Sequence, residues 1–220
     1  MATKKIEITK DYIISKYMEY RLENNKIPSS VYSFAKANGM EEATFYNFFG
    51  TMQAVEKEIY LIFFNKTLEM IETDDNYHAY DTKSKLLSFY YTFFELLTAN
   101  RSYVKMSLEG YKTKLKNILQ LSDLRHAFKN YLISILTDDY LIKEPKIQEF
   151  QQKALQEGAW IQLLLTLAFW MEDDSAAFEK TDIYIEKSVK LSFELINMAP
   201  IDSLIDFGKF MFKEKIQKKS

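Results

Sequence analysis

Cysteine is absent from the 220 residues, which excludes disulfides, thiolate metal sites and cysteine nucleophiles. Only five glycines and three prolines occur. So few turn formers in a chain of this length predict long helices with few connections. No apolar run reaches the roughly 20 residues that a bilayer crossing needs; the longest uncharged stretch, 158–171, still contains Gln162. Strong charge of either sign is also missing. Lys and Arg number 29 against 31 Asp and Glu, a net of −2 that exerts no global pull on nucleic acid. The first residues, MATKKIEITKDY, carry no apolar segment of signal-peptide length behind their lysines, so a cytoplasmic protein is expected.

Residues that do chemistry are equally scarce. The two histidines, His78 in a polar loop and His126 on a helix, do not make a convergent metal-ligand set. Asp123 and His126 are three apart on one face, a spacing that surface and capping pairs share. Asp74-Asp75, Asp138-Asp139 and Asp173-Asp174 all fall at predicted helix ends, where aspartate is favoured as a cap. No phosphate-cradling glycine loop, nucleophile elbow or HExxH segment is present. The expectation is a non-enzymatic protein with no cofactor and no metal.

What is present is helical periodicity throughout, without sustained period-two alternation, so an all-α chain is predicted. Thr9 caps a first helix, 9–24, with Ile13, Tyr17, Tyr20 and Leu22 as inward positions. Ser29 or Ser30 caps a second, 31–38, and Gly39 stands where a left-handed turn residue belongs. A short third helix, 41–49, places Phe45, Phe48 and Phe49 on its buried side. Thr51 caps a long fourth, 52–72, and the polar patch Thr73-Asp74-Asp75-Asn76 is the clearest boundary. Further helices are expected at 82–99, 102–120 with a break at Gly110, 123–137, 145–171, 175–198 and 202–216.

The stretch 31–49, VYSFAKANGMEEATFYNFF, has the spacing of a helix-turn-helix. In such a motif the first helix braces and the second offers small and polar side chains to base edges. With Ala35 four residues before Gly39, followed by Thr44, Phe45, Tyr46 and Phe49, it resembles the TetR family of bacterial transcriptional regulators. The resemblance spans 9–60. It implies a TetR-like architecture: a three-helix DNA-binding head at 1–50, then a connecting helix and a helical-bundle ligand and dimerisation domain at 51–220. By position it assigns Tyr46 to a phosphate and Thr44 to a small polar contact. Glu42, Ala43 and Asn47 take the base-facing side, with Ser30, Lys36 and Thr51 as further DNA contacts. The implied partners are double-stranded DNA, a small effector and a second copy of the chain.

Charge departs from that pattern. Residues 1–50 hold seven Lys and Arg against six Asp and Glu, a net of only +1, while DNA affinity comes largely from phosphate neutralisation. Glu41 stands where the family usually has a capping Ser or Thr, and Met52 where a phosphate-contacting Lys is common. Glu42 can accept from cytosine N4 or merely complement a helix N-terminus. Two functions therefore stand at this point: a ligand-responsive repressor acting as a homodimer on a palindromic operator, or a TetR-fold protein with weak or lost DNA binding that holds a lipid or other apolar ligand.

The second half is rich in apolar helix faces. WIQLLLTLAFW, 160–170, is apolar nearly all round, as a helix buried on more than one side is. The resemblance implies a four-helix dimer seam built from it and 175–198, with Leu163, Leu167, Trp170, Ile185, Val189 and Ser192 as contacts. Phe93, Phe94, Tyr103, Phe128 and Tyr131, with Trp160 and Leu164, can fill a core or line a pocket for an apolar or aromatic effector. Asp173-x-Ser175 with the acidic-Thr pairing near Thr181-Asp182 is also similar to ubiquinone-biosynthesis accessory proteins, which share the TetR-like fold and bind lipid. Capping chemistry alone selects the same residues. The terminal segment 201–219, with five lysines, reads as a helix that packs on its domain or lies against a membrane surface.

Overall fold

A computed structural model describes residues 7–108, 119–137, 140 and 145–198. The break expected at Gly110 and the terminal helix at 202–216 lie outside them. Nine α-helices occur among the described residues, with no strand: α1 Lys10–Asn24, α2 Val31–Ala37, α3 Glu42–Tyr46, α4 Met52–Ile71, α5 Thr82–Ala99, α6 Arg101–Leu108, α7 Ser122–Ile135, α8 Pro145–Glu172 and α9 Glu179–Met198.

The starts are written locally. Thr9, Ser30 and Thr51 each sit in extended backbone and accept from the amide three residues on, Tyr12, Ser33 and Ala54 respectively, each at 3.1 Å. Each bond satisfies an amide that the helix leaves without a partner. α2 closes with Gly39 at φ +66°. The Met40 amide there bonds to the Ala35 carbonyl at 3.0 Å and that of Gly39 to Lys36 at 3.4 Å, the pattern of a Schellman stop. Space is open around a Cβ at Gly39, so it is the dihedral that favours glycine there.

The chain packs as two compact units. One comprises 1–73 and 92–127, the other 74–91 and 128–220, so α5 and α7 contribute residues to both. In the first unit the core runs through Ile13, Ile14 and Tyr17 of α1, Phe34 and Ala35 of α2, Phe45 and Phe49, and Val55, Ile59, Tyr60, Phe63 and Phe64 of α4. In the second, Phe89, Tyr90, Phe128 and Tyr131 accompany Trp160, Leu163, Leu167 and Trp170 of α8 and Ile185, Val189 and Phe193 of α9.

Three inward positions differ from expectation. Leu22 is 48% exposed, because α1 turns Arg21 into the core in its place. Tyr20 is only half-buried. Phe48 is 40% exposed, while the Phe49 amide bonds to the Phe45 carbonyl at 3.0 Å and it is Phe49 that turns inward beneath Phe45.

Candidate nucleic-acid interface

Phe34 is the pivot of the head. Its ring meets Tyr17 at 6.2 Å, Tyr20 at 6.5 Å and Phe45 at 6.1 Å, all edge to face, and Phe45 meets Phe49 at 6.0 Å. Edge-to-face packing fixes ring angles as well as burying area, so α1, α2 and α3 are set against one another. The Tyr12 hydroxyl donates to the Asn38 carbonyl at 3.1 Å, tying α1 to the turn between α2 and α3.

On that frame α3 presents one face outward. Ala43, Tyr46 and Asn47 are exposed, and Glu42 and Thr44 are half-buried. Tyr46 is 51% exposed, and its hydroxyl donates to Glu42 Oε1 at 3.2 Å. What burial there is and the Glu42 carboxylate together raise the Tyr46 pKa. Glu41 precedes the helix without a side-chain cap. Lys36 is exposed, its Nζ 5.9 Å from the Tyr32 ring. Ser30 and Thr51 are occupied as caps. Lys10 is held by Glu58 at 2.5 Å, so one of the head's few cations is already neutralised.

The residues named for an effector divide between the units: Phe93, Phe94 and Tyr103 in the first, Phe128, Tyr131, Trp160 and Leu164 in the second. All seven are buried. Phe93 and Phe94 meet at 5.8 Å; Phe128 and Tyr131 both pack on Phe89, at 5.2 and 5.0 Å. The Tyr131 hydroxyl bonds to Tyr77 at 2.8 Å and donates to the Lys85 carbonyl at 3.1 Å. The first unit does carry an open apolar groove of about 680 Å³ along α1 and α4, floored by Ile14, Met18, Leu22, Ile59 and Ile62; none of those seven residues lines it.

Of the residues named for the dimer seam, Leu163, Leu167, Trp170, Ile185 and Val189 fill the core of their own unit. Ser192 is half-buried and donates to Gln162 Oε1 at 3.1 Å. The exposed apolar residues are their neighbours: Ile161, Leu165 and Phe169 on α8, and Ile183, Leu191 and Leu195 on α9.

Asp173 closes the end of α8 as a clip. Its Oδ1 accepts from the Ser175 amide at 2.8 Å and hydroxyl at 2.6 Å; its Oδ2 accepts from the Thr181 amide at 2.9 Å and hydroxyl at 2.6 Å. Between these anchors Ala177 and Phe178 take φ of 50° and 60°, left-handed backbone that a non-glycine residue holds only when its surroundings impose it. Burial pushes the Asp173 carboxyl up, but the Ser175 and Thr181 bonds outweigh it and hold the pKa at about 2. Because this folded value lies below the ordinary 3.8, the stabilisation is complete above the unfolded value and is lost as pH falls from about 4 toward 2. Asp173→Asn is expected to cost about 1–3 kcal/mol at neutral pH and to flatten the acid limb of the stability curve, read by urea titration at stepped pH.

A family model described as "Tetracyclin repressor-like, C-terminal domain" matches residues 85–211. The chain belongs to that family. TetR-like regulators bind DNA and small-molecule effectors as dimers, and are generally not enzymes. One solved structure, titled "Structural analysis of fatty acid degradation regulator FadR from Bacillus halodurans", shares the fold with a TM-score of 0.54 at 18% identity, covering 83% of this chain and 95% of that one. No curated protein matches the chain by sequence. The all-helical TetR-like class read from 31–49 is thus the observed one. Among the described residues no helix is long and apolar enough to cross a membrane.

The residues that sequence reasoning missed in the first unit are Arg21 and Glu56. The Arg21 guanidinium and the Glu56 carboxylate pair inside the first unit, at 8% and 7% exposure, with the Tyr17 hydroxyl donating to the same Glu56 Oε1 at 2.9 Å. A signal existed: Arg21 lies four residues after Tyr17, on the buried stripe of α1.

Proposed function

We propose that the chain is a ligand-responsive transcriptional regulator, acting as a homodimer whose two α3 helices enter successive major grooves of a palindromic site. The domain division at 50, the repressor sign, the effector core and every residue role below belong to this proposal. The observation that carries it is the outward face of α3, with Ala43, Tyr46 and Asn47 exposed on a rigid aromatic frame. Tyr46 donates to a phosphate, Thr44 and Asn47 face the bases, and Lys36, Ser30 and Thr51 flank them. Effector binding among the buried aromatics shifts the population toward a head spacing that no longer fits. The FadR neighbour is a regulator of fatty acid degradation, which makes apolar acyl compounds the first effectors to screen. No catalysis and no cofactor enter the mechanism.

The two copies meet on α8 and α9. Ile161, Leu165 and Phe169 recur every four residues on α8, and Tyr184, Ser188, Leu191 and Leu195 share one face of α9 by spacing. Phe169 and Tyr184 stack at 4.6 Å, which joins the two stripes. An isologous seam on this face leaves Leu163, Leu167, Trp170, Ile185 and Val189 beneath it as support.

The decisive experiment is selection of bound duplexes from a random pool, with Tyr46→Ala as control. Enrichment of short palindromes whose binding falls steeply with salt supports the regulator; no enrichment at low salt sinks it. The second reading, an apolar-ligand protein with little DNA affinity, is favoured by the Tyr46 hydroxyl being turned onto Glu42 and predicts copurified apolar ligand. Under the regulator reading, Glu42→Gln weakens the hold on that hydroxyl and removes a charge facing phosphates. It is expected to tighten binding to unrelated duplexes about 3–10-fold at low salt, read by fluorescence anisotropy.

A further inference from the structure

α1, α4 and α6 lie in one unit, and each sends polar side chains into one buried cluster. Glu56 of α4 receives both α1 donors, Tyr17 Oη and Arg21 Nη1, on a single oxygen, Oε1. The other end of the Arg21 fork, Nη2, lies 3.3 Å from Met106 Sδ of α6. Farther along, Tyr60 of α4 bonds to Ser107 of α6 at 2.6 Å. Because the Ser107 hydroxyl donates to the Val104 carbonyl at 3.1 Å, Tyr60 is the donor of that pair.

One member of the cluster is left over. Among the described residues the Tyr103 hydroxyl of α6 has no hydrogen-bond partner, although the residue is 1% exposed. Burial first, and then Tyr60, Tyr17 and Glu56, push its pKa upward, so it is a neutral donor; Tyr103 lies one helical turn before Ser107, as Glu56 lies one turn before the Tyr60 that Ser107 meets. A buried hydroxyl without a partner is unfavourable, and a phenylalanine ring would fill the same space without that cost. Only an arrangement that brings the hydroxyl onto an acceptor removes that cost.

We propose that Glu56 is the receiver of a two-state switch: in the state seen here α1 holds it through Tyr17 and Arg21, and in the other a shift of α6 brings the Tyr103 hydroxyl onto it in place of Tyr17. Tyr17 also packs edge-on against Phe34, so releasing it loosens α1 from the head. Small displacements of a packed helix become discrete changes where a buried acceptor has two alternative donors. The consequence for DNA rests on the regulator reading above; the switch itself does not.

The test is a double-mutant cycle on the full chain, Tyr17→Phe against Tyr103→Phe, read by amide hydrogen exchange of residues 13–24 with circular dichroism to confirm folding. Tyr103→Phe alone is expected to change α1 exchange less than about twofold, because that hydroxyl bonds to no described residue in this state. Tyr17→Phe alone accelerates it about five- to tenfold, because the state with Tyr103 on Glu56 and α1 loosened gains population. The double variant exchanges more slowly than Tyr17→Phe, falling back toward the wild type, because the loosened state has then lost its own donor. In a Glu56→Gln background that coupling falls, the shared acceptor having lost its charge. A double variant that exchanges as fast as Tyr17→Phe, or faster α1 exchange in Tyr103→Phe than in the wild type, overturns the switch. The same proteins are titrated with the random duplex pool: failure of the wild type to bind DNA overturns the regulator reading and leaves the exchange cycle to decide the switch.

Discussion

Arg21→Ala is expected to lower the unfolding free energy by about 3–5 kcal/mol, as removal of one partner from a buried ion pair does. Arg21 and Glu56 are both more than nine-tenths buried. Burial works against the Arg21 charge, but Tyr17 and Glu56 more than restore it and raise its pKa. Once the guanidinium is gone, Glu56 keeps, among the described residues, only the Tyr17 hydroxyl as a charge-stabilising donor. The remaining carboxylate must then stay ionised without a counter-charge or take up a proton, and both cost free energy. The double replacement Arg21→Met with Glu56→Leu removes the charge together with its counter-charge and is expected to lose far less, because apolar side chains of similar volume often match a buried pair. Urea denaturation with an unchanged slope measures both. A loss below about 1 kcal/mol for Arg21→Ala, the range of exposed pairs, would mean that water reaches Glu56 and that the pair contributes as a surface pair does.

That pair also marks the limit of what the chain reveals when read residue by residue. Caps at Thr9, Ser30 and Thr51 and the left-handed stop at Gly39 are legible because their chemistry is local, each acting within five residues. Arg21 and Glu56 stand 35 positions apart. Each alone looks like a solvated charge, and only the tertiary packing makes them partners. Leu22 illustrates the same blindness from the other side. One residue is 100° of helix, so a single-step error over which side chain turns inward exchanges Leu22 for Arg21.

A helix apolar all round hides its register in the same way. In 160–170 every face qualifies for burial, and periodicity alone does not tell the face that packs on its own unit from the face left outside. The structure separates Leu163, Leu167 and Trp170 from Ile161, Leu165 and Phe169. At Ala177 and Phe178 no glycine announces the left-handed backbone; Asp173, reaching eight residues forward to Thr181, imposes it. On the candidate interface itself, composition was informative. The paired carboxylates leading α3 are visible as letters, and the structure adds that one of them engages Tyr46.

The separation of the two α8 faces gives the second large effect. Leu165→Asp is expected to convert the proposed dimer to a monomer, weakening self-association by about two to three orders of magnitude. Leu165 is 55% exposed in the single chain, so the substitution changes the folding free energy by only about 0.5 kcal/mol, as surface substitutions do. In an isologous seam the aspartate appears twice, and each copy is desolvated without a counter-charge. Even about 3–4 kcal/mol in total corresponds to that loss of affinity. Leu167→Asp is the contrasting variant: Leu167 is 3% exposed, so the same charge in the core is expected to unfold the unit before any question of association arises. Sedimentation velocity across a concentration series, with circular dichroism to confirm folding, distinguishes the outcomes. A folded Leu165→Asp monomer that also loses about 100-fold or more in affinity for a selected palindrome, the loss expected when two tethered contacts become one, supports the proposed seam and its coupling to the heads. A Leu165→Asp protein that remains dimeric at low micromolar concentration moves the seam off this face.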